Sequence, residues 1–239
     1  GWSADMFQSS PAVLATYRTN LAIFWKAMAA RYYNEPVIVA YDLLNEPATD
    51  HNSQGEWYYN VMPAAVAAVR SVNSNIWLMV ESEYWGQAGN FYSMPVLADP
   101  YVIYSFHMYS PPSYTGQGIG SYVNYTPTYP GTNSIWGPAD TNSIYTYWDK
   151  ETLRNAMITE IDFSLAHPDK RILVGEFGVL RWAAGADKWL SDCIELFEEY
   201  GWDWCNHSPS GWNGFNVTYS TNINDPAYAN LAPDGGDRG

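Results

Sequence analysis

Apolar positions along this chain switch between two periods. After Ser9, Ser10 and Pro11, which read as a helix start, apolar residues recur at Val13, Leu14, Tyr17, Leu21, Phe24, Trp25 and Met28. That is the spacing of an amphipathic helix. Asn34 and Pro36 end it. The run 37–44 (VIVAYDLL) is then almost continuously apolar and rich in β-branched residues, which predicts a strand buried on both faces. Further along, the pattern predicts helices over 56–72, 150–166 and 186–200. It predicts strands at 76–80, 101–106, 171–174 and 202–205. Strands alternating with helices through short links are the mark of parallel βα units.

The expected fold is therefore α/β, of the (β/α)8 TIM-barrel type. Five strands fall short of the eight that close such a barrel, so the barrel is expected to be incomplete. The chain reads as a single domain over 1–239. A long segment, 109–148, is rich in Tyr, Pro, Gly and Ser, and most of its aromatic rings are expected to pack the segment onto itself. The Gly-rich end, 223–239, reads as a flexible tail. The chain opens on Gly1 with no charged-then-apolar leader, so we expect either a removed leader or a chain cut from something longer.

Composition narrows the function. Acidic residues number 25 against 11 basic ones, a formal net charge of −14. Such a surface repels phosphate backbones and anionic lipids, which excludes nucleic acid and membrane surfaces as expected partners. Aromatic residues make up 17% of the chain, with 12 Trp and 20 Tyr, while charged residues make up only 15%. Rings with apolar faces and polar edges suit a wet surface that grips flat, hydroxylated ligands. The composition points to a secreted, extracellular carbohydrate-active protein. The two cysteines, Cys193 and Cys205, read as buried free thiols. No zinc-ligand spacing is present, and Asp225, Asp234 and Asp237 read as a frayed end rather than a calcium site.

Three predicted strands end in chemically distinctive residues. The first runs into Asn45-Glu46-Pro47, the third into His107-Met108-Tyr109, and the fourth into Gly175-Glu176-Phe177-Gly178. In a parallel sheet the C-terminal strand ends open onto one face, where ligands bind. Two carboxyl groups on such a rim suit cleavage of a glycosidic bond. One holds a proton for the leaving oxygen and the other is ionised to attack the anomeric carbon. For either glutamate taken alone, a carboxylate stabilised at a helix N-terminus is the plainer reading. Glu81, Glu83, Tyr84 and Trp85 follow the second strand and belong to the same rim.

Taken in order, YDLLNEP, YSFHMY and VGEFG resemble glycoside hydrolase family 5, within the retaining (β/α)8 clan A. The resemblance runs from about Pro11 to Asn216 and covers the third helix to the eighth strand of that barrel. It implies a retaining endo-β-1,4-glucanase (a cellulase) acting on a β-glucan polysaccharide and needing no metal or cofactor. A β-mannanase or xyloglucanase of the same family is the alternative. Glu46 matches the family's acid/base and Glu176 its nucleophile, with an expected separation of about 5–5.5 Å. Asn45 matches the residue that bonds the sugar 2-hydroxyl. His107 and Tyr109 match the pair lining that subsite, the Tyr touching the nucleophile. Trp85, His207 and Trp212 are further candidates for substrate contact.

The first three strands of the family's barrel, with an arginine that orients the nucleophile, are missing. That leaves a rival reading, a non-catalytic glucan-binding barrel fragment. It also leaves two open sheet edges, which is an aggregation liability. We expect a homo-oligomer, or a lost N-terminal segment, to cover them.

Overall fold

The computed structural model describes residues 2–135, 144–208 and 213–222. The expected tail, 223–239, lies outside the described residues. Five parallel strands form one sheet in the order β1 (Ala40–Asp42), β2 (Trp77–Glu81), β3 (Val102–Met108), β6 (Arg171–Phe177) and β7 (Asp203–Asn206). This is the strand set of an incomplete TIM barrel, as the alternating pattern predicts. The chain gathers into two compact units. The first comprises Gly1–His107 with Thr159–Leu173, and the second Met108–Ile158 with Val174–Gly239.

In the first unit, helix α1 (Trp2–Phe7) buries Met6 and Phe7. Helix α2 (Pro11–Arg31) starts with Pro at its first position, where the missing N–H costs nothing. It buries Leu21, Trp25 and Ala29. The Trp25 indole N–H donates to Leu43 O at 2.9 Å and so pins the chain where it leaves β1. β1 pairs with β2 in the register Tyr41↔Leu78, and β2 with β3 in the register Val80↔Tyr104. Leu78, Val80, Tyr104 and Phe106 are fully buried on one face of the sheet. After β2 the loop is tied down by Glu160 on α6 (Ile158–Ala166). Its buried carboxylate accepts from the N–H groups of Gly89, Asn90 and Phe91. Burial pushes that carboxyl up to about 7, against the pull of those donors.

In the second unit, helix α5 (Lys150–Ala156) is capped by the Asp149 carboxylate, which accepts from Thr152 N–H. It packs on α7 (Ala186–Glu199), with Arg154 forked onto Glu199 at 2.7 and 2.9 Å. The aromatic-rich segment has its own core, entered through the short helix α4 (Pro112–Thr115). Tyr114, Tyr129 and Trp148 are buried, and Tyr129 donates to the buried Asp192 at 2.8 Å. Within the segment β4 (Gly131–Ser134) and β5 (Tyr145–Trp148) form an antiparallel ribbon, while Tyr145 and Tyr147 stay exposed.

Several predicted elements differ. The strand expected over 37–44 shrinks to three residues, with Val37 79% and Val39 72% exposed. β1 is an edge strand with β2 as its neighbour, so residues before Ala40 find neither a ladder nor cover on both faces. A largely apolar groove of about 370 Å³ lies between α2 and the end of β1, lined by Asn20, Leu21, Phe24, Trp25 and Leu43. The helix expected over 56–72 begins as a π-helical turn, Trp57–Val61, before α3 (Met62–Arg70). Pro63, having no N–H, cannot supply the regular bond there. The helix over 150–166 breaks at Met157, whose N–H bonds Arg154 O three residues back. The strand expected to end at 174 continues to Phe177, so Glu176 lies within it. Of the two thiols, Cys193 is buried as expected. Cys205 is exposed, because β7 is the sheet's other edge.

Candidate active site

Each expected carboxylate is held by a partner from its own unit. In the first unit the chain leaves β1 through Leu43, whose N–H continues the ladder to Met79 O. It then turns at Glu46, which has φ of 49°. A non-glycine residue in this left-handed region costs roughly 1–3 kcal/mol and persists only where its surroundings hold it. Here they do. Glu46 N–H donates to Glu81 Oε2 at 2.8 Å, and Glu46 O accepts from the Ser3 hydroxyl at 2.7 Å. Ser3 Oγ in turn accepts from Ala48 N–H. Trp85 N–H bonds Pro47 O, and Tyr84 N–H bonds the Thr49 hydroxyl. Tyr84 and Trp85 also have positive φ, so two strand-end loops are strained and clasped together.

The Glu46 carboxyl stands 3.0 Å from His107 Nδ1, and the other ring nitrogen, Nε2, is 3.4 Å from Glu81 Oε1. His107 is 2% exposed and Glu81 1%, against 35% for the Glu46 side chain. Only Glu46 of the three reaches solvent appreciably. It opens into a recess of about 450 Å³ lined also by Asn45, Leu44, Ala48, Ser3 and Trp85. Asn45 and Trp85 are both exposed there.

In the second unit, the Tyr109 hydroxyl donates to Glu176 Oε2 at 2.7 Å. Tyr109 is held by Phe215, stacked at 5.7 Å, and by the Thr115 hydroxyl, which donates to Tyr109 O. His207 Nδ1 lies 3.9 Å from Glu176 Oε2, too far for a hydrogen bond. Its backbone N–H bonds Phe177 O, and β7 approaches so closely that a Cβ on Gly178 would sit 2.4 Å from His207 O. The glycine after Glu176-Phe177 is thus explained by packing. Trp212 lies outside the described residues.

Three carboxylates have roles that the strand-end motifs do not reveal. Glu81 and Glu83 are buried rather than displayed on the rim. Glu83 accepts from the N–H groups of Gly55 and Trp57 and starts the π turn. Asp42, on the solvent-facing side of β1, has its carboxyl pushed up to about 7. Desolvation is the first cause, and the charge and hydrogen bond of Glu81 follow. Its exposure caps the size of the effect. A carboxyl raised in the folded state binds its proton more tightly than in the unfolded chain. The stability it contributes is therefore full below about 4 and is lost as pH rises through about 7. Asp42→Asn is expected to raise Tm at pH 8 by about 2–4 °C. It should leave Tm at pH 4 unchanged, as measured by thermal melts across that range.

The chain is similar to several known endoglucanases. Endoglucanase C of Acetivibrio thermocellus is 29% identical over 192 residues, covering 74% of this chain and 55% of that protein. This chain thus spans about half the length of the curated relatives it matches. A hyperthermophilic endo-beta-1,4-glucanase solved with substrate superposes with a TM-score of 0.71 at 21% identity, over 93% of this chain and 65% of that one. Thermotoga maritima Cel5A, solved with mannotriose, gives 0.67 at 22% identity over 85% and 62%. At that identity the likeness speaks for the fold. The family match runs over residues 3–213, and by it the chain belongs to the cellulases of glycosyl hydrolase family 5.

Proposed function

We propose that the chain carries the catalytic centre of a retaining endo-β-1,4-glucanase. Glu176 attacks the anomeric carbon while Glu46 gives its proton to the leaving glycosidic oxygen. A covalent glycosyl ester on Glu176 results. Glu46 then takes a proton from water, which displaces Glu176 and releases the sugar with its configuration retained. Asn45 and Trp85 contact the sugars beside Glu46, and Tyr109 keeps the nucleophile oriented. No metal or cofactor is called for.

The observation that carries this reading is the pairing of each carboxylate with its motif neighbour: Glu46 with His107 and Glu176 with Tyr109. A helix-end carboxylate with no further role would not need either. The family supports hydrolysis of a polysaccharide. The test is hydrolysis of a panel comprising carboxymethylcellulose, mannan and xyloglucan, with proton NMR of the fresh product. We expect the cellulose derivative to be cut fastest and the β-anomer to appear first. An α-anomer appearing first would overturn retention. Faster mannan cleavage would reassign the substrate, and binding without turnover would make the chain a glucan-binding protein.

A further inference from the structure

We propose that Glu81 is a positioning residue for the acid/base step, fixing both the backbone of Glu46 and the proton position on His107. This rests on the reading of Glu46 as acid/base. Glu81 ends β2, and its side chain is 1% exposed. A buried carboxylate needs strong donors, and its ion partner here is a histidine rather than Lys or Arg. Its two oxygens divide the work. Oε2 accepts from Glu46 N–H at 2.8 Å, and Oε1 faces His107 Nε2 at 3.4 Å. The first bond holds Glu46 in its left-handed conformation and so aims the carboxyl. The second favours a proton on Nε2, which leaves the Nδ1 lone pair towards Glu46 Oε1 at 3.0 Å.

That tautomer matters for proton transfer. With Nδ1 as acceptor, the Nδ1···Oε1 contact is a hydrogen bond only while Glu46 is in its acid form, and it is this same proton that leaves the contact when it passes to the glycosidic oxygen. Once Glu46 has protonated the leaving oxygen, its carboxylate meets a lone pair, and recovering a proton from water relieves that contact. Glu81 thus keeps Glu46 loaded with its proton before the first half-reaction and favours the return of a proton in the second.

The surroundings are built for this contact. His107 N–H donates to Gly86 O at 2.6 Å, and Ala88 N–H to His107 O at 3.0 Å, clamping the end of β3. Gly86 has φ of 67°, and a Cβ there would lie 3.0 Å from Glu81 Oε2 and 3.4 Å from the His107 ring. The loop closes over the pair because residue 86 has no side chain. The titratable groups near His107 in its unit are Glu46, Glu81 and Asp42. Asp42 on β1 has its carboxyl pushed up to about 7 by burial and by the charge of Glu81, so it keeps its proton well above the usual carboxylate range.

The test has two independent arms. In the wild-type chain, nitrogen NMR of the His107 ring at pH 7 is expected to show the proton on Nε2 and a bare, hydrogen-bonded Nδ1. A proton on Nδ1 would overturn the proposal, whether or not the chain hydrolyses glucan. In the second arm, Glu81→Gln is compared with wild type on an aryl β-cellobioside across pH. The basic limb of kcat/KM is expected to move about one pH unit towards acid. kcat should fall about 10–100-fold, with KM nearly unchanged. A melting curve establishes that the variant is folded. A folded variant that loses rate with its pH limbs in place would reduce Glu81 to a structural role and overturn the proposal. An inactive wild type with the Nε2 tautomer present would instead count against the acid/base reading of Glu46 and leave the Glu81–His107 arrangement standing.

Discussion

Glu176→Gln is expected to cut hydrolysis of carboxymethyl-substituted and plain β-glucan by roughly 10⁴-fold or more while leaving glucan binding within a few-fold of wild type. The amide has the shape of the carboxylate and offers an oxygen that still accepts from the Tyr109 hydroxyl, now 2.7 Å from Glu176 Oε2. It has no negative charge and no lone pair basic enough to attack an anomeric carbon. The glycosyl ester cannot form, and both half-reactions are lost together. The Glu176 side chain is about a quarter exposed and stands at the end of β6, so the exchange leaves the core intact and Tm should move little. Reducing-sugar release gives the rate, and calorimetry with a cello-oligosaccharide gives the affinity. A residual rate within about tenfold of wild type would remove Glu176 from the chemistry.

Much of this site is legible in the sequence, for a physical reason. The groups proposed for catalysis sit just past the ends of apolar runs, where the pattern changes abruptly. Asn45-Glu46-Pro47, His107-Met108-Tyr109 and Gly175-Glu176-Phe177-Gly178 all do so. Glu81 also ends such a run, but nothing local distinguishes a rim carboxylate from one folded under its neighbours. Its contacts with Glu46 N–H and His107 Nε2 depend on the register of β1 and β3 against β2. Register is set by tertiary packing, not by the residues around Glu81.

The shortened strand at 37–44 has a related cause. Val37, Ile38 and Val39 have the composition of a strand covered on both faces, yet Val37 and Val39 are largely exposed. A sequence pattern reports what a segment could bury. It does not report whether a neighbour is there to bury it. The same holds for Cys205, apolar by type and exposed because β7 is an edge. The helices are easier to read because most of their register is local. Their irregularities turn on single residues: Pro63, whose missing N–H leaves the π turn Trp57–Val61, and Met157, whose N–H bonds three residues back.

Glu46→Gln is expected to separate the two half-reactions. With cellulose derivatives the leaving oxygen is a poor leaving group and needs its proton, so kcat/KM should fall about 10²–10⁴-fold. With a dinitrophenyl β-cellobioside the leaving phenolate needs no proton, and Glu176 can still attack. The glycosyl ester then forms at close to the normal rate but lacks a base to activate water. It accumulates, giving a burst of phenolate followed by a slow steady state, with kcat and KM falling together. Azide is a nucleophile that needs no base. It should raise the steady-state rate by intercepting the ester, with the azide nitrogen bonding to the anomeric carbon as the Glu176 carboxylate leaves. Two inversions make the product a β-glycosyl azide. The variant should remain folded, because the new side-chain amide can donate to His107 Nδ1, where the Glu46 carboxyl now stands at 3.0 Å, and the backbone at this position keeps its bond to Glu81. Stopped-flow absorbance reads the burst and NMR the azide product. Equal losses on both substrates with no azide effect would show that Glu46 is not the proton carrier.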